Sequence, residues 1–160
     1  MTQNAVDQAQ FRQLLGRFAT GVTVITAWDA SGRPHGMTAN SLSSVSLEPP
    51  LLLLSIDHEA AMHGLLVSVP RFAVNILASN QETVSRRFAQ DREERFDGIG
   101  YQESPRGLIL LDGALAHIEC ERAATHEAGD HTILVGRVVA GSAADGRPLC
   151  YFRGGYASLA

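Results

Sequence analysis

The chain has 160 residues, 45 % apolar and 19 % charged, with a formal charge of −4. That balance belongs to a folded globular chain with enough length for one core, and it excludes a disordered segment. No basic run is present to meet a nucleic-acid backbone, and the longest apolar run, PPLLLLSI, is strand-sized rather than membrane-spanning.

The start, MTQNAVDQAQ, is polar and lacks the apolar core of a signal peptide, so a cytoplasmic location is expected. Residues 1–8 are expected to be a flexible N-terminus and residues 9–160 a single domain. From Gln10 to Phe18, the apolar residues Phe11, Leu14, Leu15 and Phe18 recur at helical spacing, and Gly21 ends the pattern. Val22–Trp28 is a β-branched strand; DASGR is a turn, and PHGMTAN returns as a hairpin. PPLLLLSID is a buried strand whose prolines must stand at its start, where no ladder donor is needed.

EAAMHGLLVS is a short helix and RFAVNIL a further strand. Ser79 and Glu82 stand at capping-box spacing before a helix through VSRRFA. Residues 90–107 are charged and glycine-containing, and are expected to form a long surface loop. ALAHIECE alternates with period two, and HTILVGRVVAG is a second long strand with Gly136 as a bulge or close-approach point. PLCYFRGGY supplies a short last strand. Strands dominate without regular strand–helix alternation, which points to an antiparallel barrel with helices packed outside, since closure removes sheet edges.

The familiar chemical motifs are missing. There is no GxxxxGK[ST] and no GxGxxG, so a nucleotide would be held by neither a P-loop nor a Rossmann turn. HEAAMH spaces its histidines five apart, one too many for HExxH, and no metal site is expected. His131 follows Asp130 directly; adjacent strand residues point to opposite faces, which leaves a Ser-His-Asp triad unsupported. Cys120 and Cys150 form no CxxC pair and read as buried free thiols.

Two stretches carry a functional reading beside a plain one. AGDHTILVG is either a turn with His131 half exposed at a strand start, or a polar ring at a barrel mouth. HGMTANSLSSVS is either a polar connection or a surface of small side chains that lets a flat polar ligand reach the backbone. Because it runs straight into PPLLLLSI, it belongs at the rim of the core.

With FRQLLGRFATGVTVIT, HGMTANSLSSVSLEPPLLLLSI, FAVNIL, SRRFA, LDGALAHIEC, GDHTILVGRV and PLCYFRGGY in this order, the sequence resembles the flavin reductase-like, FMN-binding split-barrel family. These are small reductase components of two-component flavin-dependent monooxygenases. The resemblance implies a mainly β fold, a six-stranded antiparallel Greek-key split barrel with short peripheral helices, in a homodimer. It implies NAD(P)H:flavin oxidoreductase activity, with FMN or FAD as the flavin, NADH or NADPH as the donor, and a monooxygenase receiving the reduced flavin. The alternative is a non-catalytic flavin-binding split barrel that stores or senses flavin.

By the same resemblance Thr38, Ala39, Asn40 and Ser41 lie against the isoalloxazine or ribityl chain, and Ser44 and Val45 line the site. Ser55 and Ile56 border the ring or phosphate, and Arg87, Phe88 and Ala89 approach the phosphate. His131 stands beside the nicotinamide as the catalytic residue, flanked by Tyr156. Hydride transfer between two stacked rings needs no strong protein base, consistent with the missing triads. One departure stands out: where the family often has lysines or hydroxyl residues after Ile56, this chain has DHEAAMHG. Arg87, His58 and helix N-terminal amides are expected to replace them.

Overall fold

The computed structural model describes residues 5–160; the first four residues of the expected flexible start lie outside the described residues. Helix α1 (Gln8–Leu15) begins earlier than its apolar spacing suggests, because Asp7 caps it by accepting from the Gln10 amide at 2.8 Å. Strand β1 (Thr20–Gly21) leads into β2 (Thr23–Trp28), whose alternation organises two cores. Ile25 and Ala27 face one apolar cluster, while Val22 and Val24 face another.

The hairpin partner β3 (Pro34–Ala39) pairs antiparallel with β2, as expected. The polar run then continues as an edge strand, β4 (Ser43–Leu47), paired with β5 (Pro50–Asp57). Pro50 opens β5, which satisfies the constraint on proline in a ladder. Helix α2 (His63–Ser68) crosses to β6 (Arg71–Ile76), and α3 (Glu82–Phe88) follows. The Ser79–Glu82 capping box does not form. Gln81 is the cap residue instead, and its amide is spent elsewhere, accepting from Ala78 N and donating to Asp112 O.

The expected surface loop at 90–107 contains strand β7 (Tyr101–Glu103), which pairs with β8 (Ile109–Leu111). Strands β9 (Ala116–Ala128) and β10 (His131–Ala143) make a long hairpin turned by Gly129 at φ 63° and Asp130. The register slips at Gly136, where an added Cβ would sit 2.7 Å from Phe72 Cζ. The last segment is a hairpin of two strands rather than one, β11 (Cys150–Phe152) and β12 (Gly155–Ala157). It turns through Arg153 and Gly154, both at positive φ, and pairs with β1.

The main sheet runs β3-β2-β6-β9-β10-β5-β4 and is antiparallel throughout; β4 makes it seven strands where six were expected. Its outer strands β3 and β4 are not hydrogen-bonded to each other. Yet Met37 and Ala39 of β3 pack on the same cluster as Leu52, Leu54 and Ile56 of β5. The sheet therefore curls around one apolar interior and remains split at β3. The second cluster lies outside it, under α3, β8 and the last hairpin. Asn75 joins these layers: its amide donates to Val24 O and Thr26 Oγ1, and its Oδ1 accepts from Leu111 N. No helix among the described residues is long and apolar enough to cross a membrane.

Candidate functional site

Thr38 points from β3 toward α3, and its Oγ1 donates to the Ser85 carbonyl at 2.6 Å. Ser85 Oγ in turn shares a 2.6 Å hydrogen bond with the Tyr156 hydroxyl of β12. This chain of bonds crosses from sheet to helix to hairpin, and it frames an open cleft of about 270 Å³. The cleft is lined by Val22, Thr38, Ala39, Asn40, Ser85, Ala89, Tyr151 and Tyr156. Tyr151 and Tyr156 meet edge to face at 5.6 Å between ring centres, and the Arg86 guanidinium lies 4.8 Å over the Tyr156 ring. Asn40 is exposed, so its amide is free to meet a ligand.

Beyond Asn40 the chain is clasped to β5. Ser41 Oγ donates to the Ser55 carbonyl at 3.0 Å and accepts from the Ser55 amide at 3.1 Å. Two residues along β5, Asp57 pairs with His131 of β10, which puts His131 about 7 Å along the sheet from the clasp. His131 Nδ1 donates to Asp130 Oδ1 at 2.7 Å. Adjacency did not prevent this contact, because Asp130 sits in the hairpin turn rather than on the strand. The bond and the charge of the imidazole hold the Asp130 carboxyl below its ordinary value.

The sequence-derived residues thus divide. Thr38, Ala39, Asn40, Ala89 and Tyr156 come together in the cleft. Ser41 and Ser55 form the clasp at its end, and His131 stands apart at the hairpin tip. Ser44 and Val45 lie on the exposed edge strand β4, at its register slip. Ile56 and Phe88 are buried in the two cores, at 0 % and 1 % exposure, so their side chains cannot border a ligand in this chain. Arg87 turns away to donate to the Asp97 carbonyl at 2.8 Å. The two histidines of HEAAMH do meet, edge to face at 5.1 Å, but His58 bonds Glu127 and His63 bonds Thr132. No metal-binding group of His, Cys, Asp or Glu occurs among the described residues.

Residues 15–160 match the family described as flavin reductase like domain. The chain belongs to this flavin reductase family. It is 43 % identical over 146 residues to the FMN reductase (NADH) SmoA of Agrobacterium fabrum, covering 91 % of this chain and 83 % of that protein. It is 39 % identical over 156 residues to the reductase subunit HsaB of a flavin-dependent monooxygenase in Rhodococcus jostii, covering 97 % and 80 %. Among solved structures, an NADH:FAD oxidoreductase of Streptomyces globisporus in complex with NAD and FAD fragments superposes with a TM-score of 0.92. That match has 37 % identity and covers 99 % of this chain and 98 % of the other.

As a family member the chain should hold a flat, partly polar ring, and the cleft fits one. It offers tyrosine rings, a hydroxyl and an amide beside a strand with a neighbour on one side only. Sequence reasoning missed Ser85, Arg86 and Tyr151. A signal for Ser85 was present: Gln81, Ser85 and Phe88 share one helix face by spacing. A polar residue on the buried face of a short helix needs a partner.

Proposed function

We propose that the chain is an NADH:flavin oxidoreductase that reduces FMN or FAD and passes the reduced flavin to a partner monooxygenase. The observation that carries this is the cleft on the open β3 side, framed by the Thr38–Ser85–Tyr156 bonds, in a chain of the flavin reductase family. Bound flavin would supply the two-electron acceptor for the nicotinamide hydride. The protein's part is placement. Thr38 spends its proton on Ser85 O and so presents lone pairs to a ligand donor, while Asn40 can donate and accept. Tyr156 gives the ring a flat wall, held by Ser85. His131, fixed by Asp130, is the residue of the nicotinamide side. Ser41 and Ser55 position the strand end rather than touching the ring through their hydroxyls.

A homodimer belongs to the same reading. Helix α1 buries none of its residues, and Phe11, Leu14, Leu15 and Phe18 are each more than half exposed, as is Leu47 at 97 %. Such a run is a surface for a second copy. The reductase subunit named among the relatives supports a monooxygenase partner. A cytoplasmic location completes the reading.

The test is NADH oxidation by the purified chain with and without FMN, FAD and riboflavin. Oxidation that depends on added flavin, with flavin saturating as a substrate, is expected. A tightly bound flavin with no flavin-dependent NADH oxidation would overturn the reductase assignment.

A further inference from the structure

The tip of the β9–β10 hairpin carries Asp130 and His131, and the sheet supports it thinly. β6 pairs with β9 only from Ala116 to Glu121, so the last residues of β9 have β10 as their one strand neighbour. On the other side β5 follows β10 no further than the Asp57–His131 pair. A strand pair held on one edge opens more easily than one inside a sheet. What holds the tip instead is the segment HEAAMH, whose histidines are spaced wrongly for a metal helix. Both of them reach this hairpin, one from the connection after β5 and the other from the first residue of α2.

The direction of each bond follows from its partners. Thr132 Oγ1 donates its single proton to Glu127 Oε1 at 3.0 Å. The hydroxyl can then only accept from a further group, so the 2.8 Å contact with His63 Nε2 is donated by the ring. His58 Nε2 donates to Glu127 Oε2 at 2.9 Å, and the His58 amide donates to the Asp130 carbonyl at 2.9 Å. The two imidazoles meet edge to face at 5.1 Å between ring centres. The two arms are unequal in weight. Glu127 has 73 % of its side chain in water, so its pair with His58 is screened and contributes little. Thr132 is 1 % exposed, so the bond from His63 is the stronger tie. Helix α2 is a firm post for it, because Met62 and Leu66 are buried in the cluster that holds Ile56 and Leu134.

We propose that His63, Thr132 and Glu127, assisted by His58, are positioning residues for the reductase reaction: they hold the hairpin tip against α2 and so set where His131 meets the nicotinamide. The inference rests on the reading of His131 as the residue of the nicotinamide side. Thr132 and His131 are neighbours in β10 and point to opposite faces, so fixing Thr132 from within fixes the backbone from which His131 projects. His131 Nδ1 is bonded to Asp130, which leaves Nε2 for a ligand, and the position of Nε2 follows the tip. A side chain displaced by about 1 Å loses much of such a contact, so residues that never touch the nicotinamide govern how well it binds. Thus the segment that departs from the family after Ile56 acts here through the hairpin opposite it.

The test is a double-mutant cycle on the full chain, read by steady-state NADH oxidation with FMN as acceptor. Thr132→Val replaces the buried hydroxyl by a methyl group of similar shape. It should raise the KM for NADH by roughly two- to tenfold and move the KM for FMN by less than about twofold. Thr132→Ser, which restores the hydroxyl, should bring the KM for NADH back to within about twofold of wild type. In a His131→Ala background Thr132→Val should add nothing, because the side chain it positions is gone. If Thr132→Val fails to fold by circular dichroism, Glu127→Ala, at an exposed position, replaces it in the cycle with an expected effect of about twofold. An unchanged KM for NADH overturns the inference. So does a loss that falls equally on NADH and FMN, that Thr132→Ser does not reverse, or that persists at full size without His131. In those cases the reductase reading still stands. A His131→Ala chain with wild-type NADH kinetics overturns the reading of His131 and the inference with it. A wild-type chain without flavin-dependent NADH oxidation overturns the reductase reading as well.

Discussion

The bond between Ser85 Oγ and Tyr156 OH, at 2.6 Å, ties α3 to the last hairpin, and it can be tested by a double-mutant cycle. Ser85 is 0 % exposed, whereas Tyr156 is half-buried at an open cleft. The two single changes should therefore be unequal. Tyr156→Phe keeps the ring but strands a buried serine hydroxyl; losing the bond and its partner costs about 2 kcal/mol. Ser85→Ala leaves a tyrosine hydroxyl that can reach water, and costs about 1 kcal/mol or less. The double variant strands nothing and should resemble Ser85→Ala. In a chain of this size, about 2 kcal/mol corresponds to roughly 4–8 °C in Tm. The assay is urea and thermal unfolding of all four proteins, with the m-value checked for constancy. A Tyr156→Phe variant that costs no more than Ser85→Ala would refute the reasoning. It would mean that Ser85 turns its hydroxyl to the carbonyl of Gln81 one helical turn back, and that the bond does not hold the hairpin.

His131→Ala should raise the KM for NADH by roughly tenfold, the loss of one charged or polar contact, while flavin affinity measured by titration changes less; equal losses would remove His131 from the nicotinamide side. Gly136→Ala places a Cβ 2.7 Å from Phe72 Cζ and 3.1 Å from Cys120 Cβ, all within the barrel interior. It should cost about 1–3 kcal/mol in chemical unfolding, and a neutral result would show that the Phe72 ring can yield. Burial, followed by the charge of Glu119, pushes the Cys120 thiol up to about 12 from 9.0. The unfolded chain therefore ionises first, and this contribution to stability is present below pH 9 and lost as pH rises toward 12. Unfolding at pH 8–11 should show that loss in the wild type and not in Cys120→Ala. At pH 8, thiol labelling should reach the half-buried Cys150 first and Cys120 only through unfolding.

Strand content was legible wherever one periodicity prevailed. Val22–Trp28, Pro50–Asp57 and the start of β10 are apolar or β-branched enough that no helix competes, and each forms as read. Gly136 was legible as a close approach because a glycine in a buried strand has few other uses. Edge strand β4 was not legible: Ser43–Leu47 carries no buried face, and only its hairpin with β5 makes it a strand. Tyr101–Glu103 failed for the same reason, since its partner lies past a glycine turn. The site was half legible. The polar residues Thr38, Asn40 and Tyr156 were in the sequence motifs and are in the cleft. Motif membership alone could not separate Arg87 from Arg86, because which of two adjacent arginines faces a cleft depends on helix rotation.

The split in the sheet is best understood through its edge. An exposed strand edge invites pairing with another chain, and folded proteins cover or interrupt it. β4 is short and slips register at Val45, which makes it a poor template. β3 is treated differently. Thr38 is drawn to α3, the Gly36 carbonyl is taken by Arg95, and the continuation at Ser41 is clasped to Ser55. All three contacts are made by side-chain groups, not by a neighbouring strand, so they fix the edge without extending the sheet. What remains beside Ala39 and Asn40 is an open cleft of about 270 Å³, lined by Tyr151 and Tyr156 and by the polar groups of Thr38 and Ser85. A ligand held in such a gap is gripped by hydroxyls and amides rather than enclosed. That suits a flavin that must enter oxidised and leave reduced.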